Sequence, residues 1–312
     1  MYEDDATHMY EVDDSGEGEA LAGVTAAVVG GDGREVEYLR GLEADGAEVR
    51  ACGLPDEAEA VMGHPQADTP EEAISGADAV FTTVVHITEE GELYTPGWDG
   101  EIYQDAFSHI DPGGTLFIGT STPEIDGYAE EGGFDVIEYG DDDELMYLRA
   151  PTIIEGVLGL TIDHTDVSIH DSRSVVLGFG RMGFSMTRTL EALGAHTTVV
   201  ARDGAQLARA REMGARPVHL DDLAEAVSAA DMVFNTIPAK VLTREVLSGM
   251  PRDAFVLDLA STPGGTDFDA AEELGIDAVL APGLGGRAPK TAGRYQWMGL
   301  RRMLLEDLGR AD

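Results

Sequence analysis

The chain has 312 residues, 43% of them hydrophobic, which is enough apolar material for the cores of two domains. Acidic residues number 60 against 20 basic ones, so the formal net charge is −40, and this charge excludes nucleic acid and anionic membranes as expected partners. Only Lys240 and Lys290 among the basic residues are lysines. We interpret this acidic, lysine-poor composition as halophilic, with solubility alone as the alternative.

Cys52 is the only cysteine, which excludes an intramolecular disulfide and a cysteine-based metal cluster and fits a reducing, cytoplasmic location. No metal site is expected. No uninterrupted apolar run approaches the roughly 20 residues that span a bilayer. Residues 1–20 carry eight acids and no lysine or arginine, the opposite of a signal peptide, so we expect a disordered acidic leader there.

The first part of the chain alternates strand and helix patterns. Strands are predicted at 24–29, 48–51, 79–85, 115–119 and 136–138, and a helix that ends near residue 44 follows the first strand. We therefore expect an α/β domain over residues 21–150. Residues 151–166, within a connecting segment at 151–170, are predicted to form a helix with Pro151 near its start.

The second part repeats the alternation, with six predicted strands at 174–177, 197–201, 216–219, 232–236, 254–259 and 278–281. Such alternation indicates a doubly wound parallel sheet, here over residues 171–286. The last segment, 287–312, contains a predicted helix at 291–308 that returns to the first domain. The expected fold class is α/β, with two Rossmann-like domains joined by a connecting helix and the substrate between them.

A glycine-rich turn follows the first strand of the second domain. Gly178, Gly180 and Gly183 form G-x-G-x-x-G, with Arg181 and Met182 between the last two glycines, and a helix pattern begins there. The first glycine allows the tight turn, the second lets backbone N–H groups approach a pyrophosphate, and the third lets the helix pack on the strand. The pattern in this setting predicts a dinucleotide site.

The type of dinucleotide depends on the residue at the end of the next strand. An acidic side chain there would bind the ribose 2′-hydroxyl of NAD, whereas this chain has Arg202, whose guanidinium suits a 2′-phosphate. We therefore predict NADP(H); NAD(H) is the alternative if Asp203 points inward. Thr236 and Pro238 follow a later strand and are expected at the rim of the same crevice.

Five segments together resemble the family of dipicolinate synthase A subunits: residues 27–34, 178–183, 235–238, 258–267 and the pair 281–284 with 288–293. The likeness extends from about residue 24 to 308, and 258–267 and 288–293 are its most distinctive parts. It implies oxidation of a dihydrodipicolinate-type ring to pyridine-2,6-dicarboxylate in spore-forming bacteria, with hydride passing to a nicotinamide. It also implies a flavoprotein-like B subunit as partner; a homo-oligomer is compatible with the sequence.

A small dicarboxylate substrate needs cationic or hydroxyl donors. Arg34, Arg287 and Lys290 lie in glycine- or proline-rich turns and are the predicted carboxylate ligands, Lys290 also being counted as catalytic. Further candidates follow strands of the first domain: Thr83, His86, Ser121 and Thr122. The alternative for each of the three cations is an exposed side chain that only balances neighbouring acidic residues.

Proton removal needs a base, and His164 or His170 beside the connecting helix is predicted because imidazole titrates near neutrality. Two other functions remain open. An NADP-dependent 2-hydroxyacid dehydrogenase would use a late histidine, yet no histidine follows His219. A non-catalytic NADP(H)-sensing scaffold would instead transmit closure to a partner.

Overall fold

The computed structural model describes residues 20–85, 87–281 and 283–310. Residues 1–19 of the predicted acidic leader and the candidate His86 lie outside this part of the chain. The described residues divide into two compact units: unit 1 comprises those up to 148 and those from 288 onward, and unit 2 comprises those within 149–287.

Unit 1 contains a five-stranded parallel sheet of order β2-β1-β3-β4-β5. The strands are β1 (Thr25–Val29), β2 (Glu48–Cys52), β3 (Ala79–Phe81), β4 (Thr115–Ile118) and β5 (Asp135–Glu138). Hydrophobic clusters cover both faces, one around Val28 and Phe117 and one around Val29 and Leu116, as expected for a parallel sheet. The strand order reverses between β1 and β3, and open α/β sheets bind ligands at such a point.

Side chains cap three of the first four helices of unit 1. The helices are α1 (Gly33–Ala44), α2 (Glu57–Met62), α3 (Pro70–Ile74) and α4 (Pro123–Gly132). Asp32 and Glu35 form a capping box at α1. The Asp32 carboxylate accepts from backbone N–H groups of the first turn, and the Glu35 carboxylate accepts from the Asp32 backbone N–H. Thr69 and Thr122 cap α3 and α4, each followed by a proline in the first turn.

The last helix, α11 (Pro289–Asp307), packs against α1 within unit 1, as predicted. A Cβ at Gly293 would collide with the backbone of Arg34, so this glycine permits the close approach of the two helices. Three arginines on α11 form ion pairs with unit 1 carboxylates: Arg294 with Glu37, Arg301 with Asp45, and Arg302 with Asp142 and Glu144.

Unit 2 contains a six-stranded parallel sheet of order β11-β10-β9-β6-β7-β8. Its strands are β6 (Arg173–Leu177), β7 (His196–Ala201), β8 (Arg216–His219), β9 (Met232–Asn235), β10 (Phe255–Asp258) and β11 (Asp277–Leu280). Its helices are α6 (Arg181–Ala192), α7 (Gly204–Glu212), α8 (Leu223–Val227), α9 (Arg244–Ser248) and α10 (Phe268–Leu274). When β6 is counted as strand 1 and the sheet is read from the β8 edge, the order is 3-2-1-4-5-6. This is the Rossmann arrangement, so the predicted fold class is confirmed.

The connecting helix differs from its prediction. Helix α5 (Asp143–His164) begins before Pro151, which lies inside it. Asp142 accepts a hydrogen bond from the Leu145 backbone at 2.8 Å, and this contact stabilises the earlier start.

Helix α5 is long and apolar enough to cross a membrane, by length and composition only, although it has no uninterrupted apolar run of roughly 20 residues. Charged and polar residues such as Arg149, Thr152 and Glu155 interrupt its apolar side chains. Since core helices of soluble proteins meet the same criteria, this finding carries no assignment to a membrane.

Candidate functional site

The turn after β6 contains the G-x-G-x-x-G pattern of residues 178–183, hereafter the fingerprint, and has the backbone that this pattern requires. Gly178 has φ +87°, and a Cβ there would lie 2.5 Å from Thr236 Oγ1. A Cβ on Gly183 would collide with the Gly178 carbonyl oxygen, so α6 packs directly on the end of the strand. Only glycine satisfies both positions, because one needs a left-handed backbone and the other has no room.

The N-terminus of α6 is open. Gly180 caps the helix without any side-chain hydrogen bond, and the first turn, which starts with Arg181 and the half-buried Met182, contains no acidic residue. A Cβ at Gly180 would meet nothing within 4 Å. Unpaired N–H groups at the start of a helix of this length attract an anion such as the pyrophosphate of a dinucleotide.

Arg202 and Asp203 follow the end of β7 and have different environments. The Asp203 carboxylate caps α7 by accepting a hydrogen bond from the Gln206 backbone at 2.8 Å. Arg202 is exposed and has no hydrogen bond or ion pair with the residues that the structure describes. The guanidinium is therefore available to a ligand, while one oxygen of Asp203 is occupied by the helix.

The turns after β9 and β10 form a rim on the other side of the fingerprint. Thr236 donates a hydrogen bond to the Leu177 carbonyl at 2.8 Å, so the turn at 235–238 lies against the end of β6. Pro238 is exposed at the end of that turn. The buried Asp258, at the end of β10, anchors both turns.

In unit 1, the first residues after β1 hold a buried ion pair. Arg34 is 2% exposed, and its Nε and Nη2 atoms lie 2.9 and 3.0 Å from the two carboxylate oxygens of Asp32. Burial would lower the pKa of Arg34, but Glu35 and Asp32 outweigh it and raise the pKa above the ordinary value. The guanidinium predicted to bind substrate thus has an internal partner, which leaves Nη1 as its one nitrogen without a protein hydrogen bond in the described residues.

Glu35, beside this pair, was not predicted as a site residue. It is fully buried; Oε2 accepts a hydrogen bond from the Asp32 backbone at 2.8 Å, and Oε1 has no partner in the part of the chain described. Burial raises the pKa of Glu35 to about 7, against the opposing effect of Arg34. The Asp-x-x-Glu spacing of a capping box was the sequence signal for this arrangement.

Lys290 lies near this end of unit 1. The neighbouring Pro289 packs on Gly33, whose Cβ would lie 3.1 Å from it, so the first turn of α11 adjoins the first turn of α1. Lys290 is exposed and unpaired among the described residues. Thr83, which follows β3, is buried and accepts a hydrogen bond from the Val85 backbone at 3.2 Å, so its hydroxyl hydrogen remains available.

The hydroxyl groups of Ser121 and Thr122 donate hydrogen bonds within unit 1. Ser121 Oγ donates to Asp126 at 2.6 Å, and Thr122 Oγ1 donates to Gln104 at 2.7 Å. Thr122 also caps α4. These contacts organise the turn after β4, and the substrate role of both residues stays a prediction.

The two predicted histidine bases lie at the wrong edge of the unit 2 sheet. His164 Nδ1 lies 2.9 Å from Asp277, the first residue of β11, and its ring stacks on Phe255, the first residue of β10. His170 Nδ1 lies 3.1 Å from the carbonyl of Leu193, next to the start of β7. The dinucleotide turn is at the opposite, carboxyl-terminal edge, so neither histidine is retained as the base.

Arg287 has a structural contact in unit 2. Its Nη1 donates to the carbonyl of Glu155 on α5 at 3.2 Å. Gly159, one turn later on α5, provides the space that its guanidinium occupies. Arg287 is exposed, and its remaining nitrogens have no protein partner among the described residues. Its substrate role stays a prediction.

Residues 25–140 match the family described as the N-terminal domain of the dipicolinate synthase A subunit, and residues 161–261 match the D-isomer specific 2-hydroxyacid dehydrogenase NAD binding domain. The dipicolinate synthase A subunit of Bacillus subtilis is 37% identical over 289 residues, which cover 92% of this chain and 97% of that protein. This chain belongs to the family of dipicolinate synthase A subunits.

Crystal structures of two dipicolinate synthase A chains superimpose on most of the chain. The Bacillus halodurans structure has a TM-score of 0.84 and 34% identity, covering 91% of this chain and 98% of that one. The Bacillus subtilis structure has a TM-score of 0.83 and 37% identity, covering 93% and 98%. The family's N-terminal domain thus corresponds to the sheet of unit 1, and the nicotinamide-binding domain to unit 2.

Proposed function

We propose that this chain is the nicotinamide-dependent oxidoreductase component of a dipicolinate synthase. The observation that carries the proposal is an open dinucleotide turn at Gly180 within a chain 37% identical to a dipicolinate synthase A subunit over 92% of its length. The reaction converts a dihydrodipicolinate-type ring to pyridine-2,6-dicarboxylate. The ring loses a hydride to the nicotinamide and a proton to solvent, and the gain of aromaticity drives the reaction.

The protein's part in this reaction is to bind and orient. The N–H groups at the start of α6 would hold the pyrophosphate, and Gly178 and Gly183 keep the strand, turn and helix close enough for that contact. When bound, the nicotinamide supplies the hydride acceptor. The turns after β9 and β10 border the carboxyl edge where that acceptor would lie.

The preferred cofactor in this proposal is NADP(H). Arg202 is at the ribose position, exposed and unpaired among the described residues, and presents a planar fork of donors that suits a phosphate. One carboxylate oxygen of Asp203 accepts a hydrogen bond from the Gln206 backbone, so we infer that Asp203 caps α7 and does not bind the ribose. NAD(H) would need an acidic partner for the 2′-hydroxyl.

For the substrate, we propose the carboxyl edge of the unit 1 sheet. Lys290 is a free cation there among the described residues, and Thr83 retains a hydroxyl hydrogen. Asp32 balances the charge of Arg34 and holds Nε and Nη2, so Arg34 would contribute Nη1 as a hydrogen-bond donor to a carboxylate. Charge-assisted bonds of this kind recognise a dianion in an otherwise acidic protein.

The chain is proposed to act with a second, flavoprotein-like B subunit in the cytoplasm. The relative's name describes a subunit, which implies a partner chain. The lone Cys52 is buried, and burial raises the pKa of its thiol to about 11, so it is an unreactive thiol that suits a reducing compartment.

Dinucleotide binding is tested by adding one methyl group to the turn. Gly180 has φ −78°, which alanine adopts without strain, so Gly180→Ala should fold normally and place its Cβ where the pyrophosphate lies. We expect at least tenfold weaker NADPH binding by calorimetry. Gly127→Ala, also in open space but on α4, is the matched control and should bind as the unaltered chain does. Equal affinities in all three proteins would contradict the proposed site.

A further inference from the structure

Asp258 is a buried carboxylate with a full set of hydrogen bonds. It is 0% exposed. Oδ1 accepts from Asn235 Nδ2 at 3.0 Å and from the Ala260 backbone at 3.1 Å. Oδ2 accepts from the Gly265 backbone at 2.8 Å and from Thr266 Oγ1 at 2.6 Å. A carboxylate is the one protein side chain that accepts at both oxygens without presenting a hydrogen.

These four bonds join the turns after β9 and β10. Asn235 Oδ1 accepts from the Ile237 backbone N–H and Nδ2 donates to the Ile237 carbonyl, both at 3.1 Å, so its amide fixes the turn at 235–239. Gly265 lies against that same turn, since a Cβ there would collide with the carbonyl of Ile237. Asp258 therefore sets the position of one turn relative to the other.

The same turn contacts the fingerprint. Thr236 Oγ1 and the Ile237 side chain are the atoms that a Cβ on Gly178 would meet, at 2.5 and 3.1 Å. A continuous path of direct contacts thus leads from Asp258 through Asn235 and Ile237 to Gly178. All of these residues lie at the carboxyl edge of the unit 2 sheet.

We propose that Asp258 is a positioning residue that places the nicotinamide half of the bound dinucleotide; this rests on the proposed function. A dinucleotide spans the point where the strand order reverses, between β6 and β9. Its adenosine half would lie toward β7 and Arg202, and its nicotinamide half toward β9 and β10. The turns that Asp258 holds would border the nicotinamide half, and they meet the pyrophosphate-binding turn at Gly178.

Asp258→Asn tests the proposal because it keeps the shape but replaces one acceptor with a donor. The new amide would face the Gly265 N–H or the Asn235 amide, so one turn must move. The first ligand is NADPH or NADH, whichever the unaltered chain binds more tightly. The second is the matching analogue without nicotinamide: 2′-phospho-ADP-ribose for NADPH, or ADP-ribose for NADH. The fluorescence of the bound dihydronicotinamide reports its surroundings directly.

We expect Asp258→Asn to bind the complete cofactor at least tenfold more weakly, with altered nicotinamide fluorescence, and the analogue within twofold of the unaltered chain. Thr266→Val removes one donor only and should show a smaller loss, about threefold, in the same direction. Asp277→Asn makes the same chemical change at the amino end of β11 and should leave both affinities unchanged.

Equal loss of cofactor and analogue in Asp258→Asn and Thr266→Val would overturn the positioning role in favour of a general effect on folding. Unchanged cofactor affinity and fluorescence in both variants would overturn it directly. If Asp258→Asn does not fold, the outcome for Thr266→Val decides by the same criteria. Failure of the unaltered chain to bind either cofactor would instead overturn the proposed function, and the positioning role with it.

Discussion

Arg34 and Asp32 form a bidentate ion pair in the first turn after β1, with nitrogen–oxygen distances of 2.9 and 3.0 Å. The arginine is 2% exposed, and Asp32 also caps α1. This one carboxylate therefore both starts the helix and neutralises a buried cation, which makes it more important for stability than an ordinary cap.

Replacing Asp32 with alanine should destabilise the protein by roughly 3–5 kcal/mol, because it leaves a buried guanidinium without its partner. Asp203→Ala is the comparison, since Asp203 caps α7 without a buried cation and should cost only about 1 kcal/mol. Urea denaturation of both variants measures the difference. Equal losses would show that the ion pair adds nothing beyond the cap.

Glu35 should make the free energy of unfolding depend on pH. Its folded-state pKa is raised from 4.5 to about 7 by burial, so the folded protein retains a proton that the unfolded chain releases. Stability should therefore fall as pH rises from about 4.5 to 7, by about 1.4 kcal/mol for each pH unit between the unfolded and folded pKa values. The charged and titratable groups around Glu35 are Asp32, Arg34, Tyr38 and Tyr94.

Glu35→Gln removes this titration and keeps an oxygen that can accept from the Asp32 backbone. The variant should gain stability relative to the unaltered chain as pH rises from 5 to 8, as measured by urea denaturation at each pH. Parallel pH profiles for the two proteins would mean that Glu35 is already ionised in the folded state at pH 5.

The cofactor preference should depend on Arg202. We expect the unaltered chain to bind NADP(H) at least tenfold more tightly than NAD(H), which corresponds to about 1.4 kcal/mol. Arg202→Ala should abolish the gap, whereas Arg209→Ala, an exposed arginine in the last turn of α7, should preserve it. Calorimetry with both cofactors measures the ratio, and equal affinities in the unaltered chain would favour NAD(H).

Much of the fold could be predicted because buried parallel strands appear as short apolar runs between helical patterns. The eleven predicted strands are all present among the described residues, although β3 ends at Phe81 instead of residue 85. The sequence pattern does not predict the start of α5, because Pro151 favours a helix that begins there, whereas Asp142 caps the helix before it.

Side-chain partners at the candidate site were harder to predict. His164 is close in sequence to the connecting helix, but the sequence does not say at which edge of the sheet that helix ends. The partner of Arg34 was visible two residues away in Asp32, as part of a capping-box pattern. By contrast, Asp258 binds Asn235 across 23 positions of sequence, a contact that only the strand pairing reveals.

Lys290 should matter for the substrate and not for the cofactor. If its ammonium binds a substrate carboxylate, Lys290→Ala should lower kcat/KM by an amount equivalent to about 1.5–3 kcal/mol of transition-state binding. This is the usual effect of losing a hydrogen bond to a charged group. NADPH affinity should stay constant. Lys290→Arg keeps the charge and should recover part of the loss; unchanged kinetics in the alanine variant would make Lys290 a surface residue.

Salt should stabilise this protein. With 60 acidic and 20 basic residues, like charges repel in the folded state, and the screening length falls from about 10 Å at 0.1 M to about 3 Å at 1 M salt. The Tm should therefore rise between about 0.1 and 1 M KCl, and activity should persist there. A parallel series in potassium sulfate separates the two effects of salt, because sulfate also strengthens apolar burial whereas KCl acts mainly by charge screening. A flat or falling Tm in KCl would leave acidity as a matter of solubility.

The most direct test of the proposed function is turnover. The purified chain, mixed with its partner B subunit, is given a dihydrodipicolinate-type precursor and NADP⁺, and the ultraviolet absorbance of product and of NADPH is followed together. We expect pyridine-2,6-dicarboxylate and reduced nicotinamide to appear in equal amounts, and Gly180→Ala to slow the formation of both. Formation of the dicarboxylate at the same rate without any nicotinamide would contradict the proposed function.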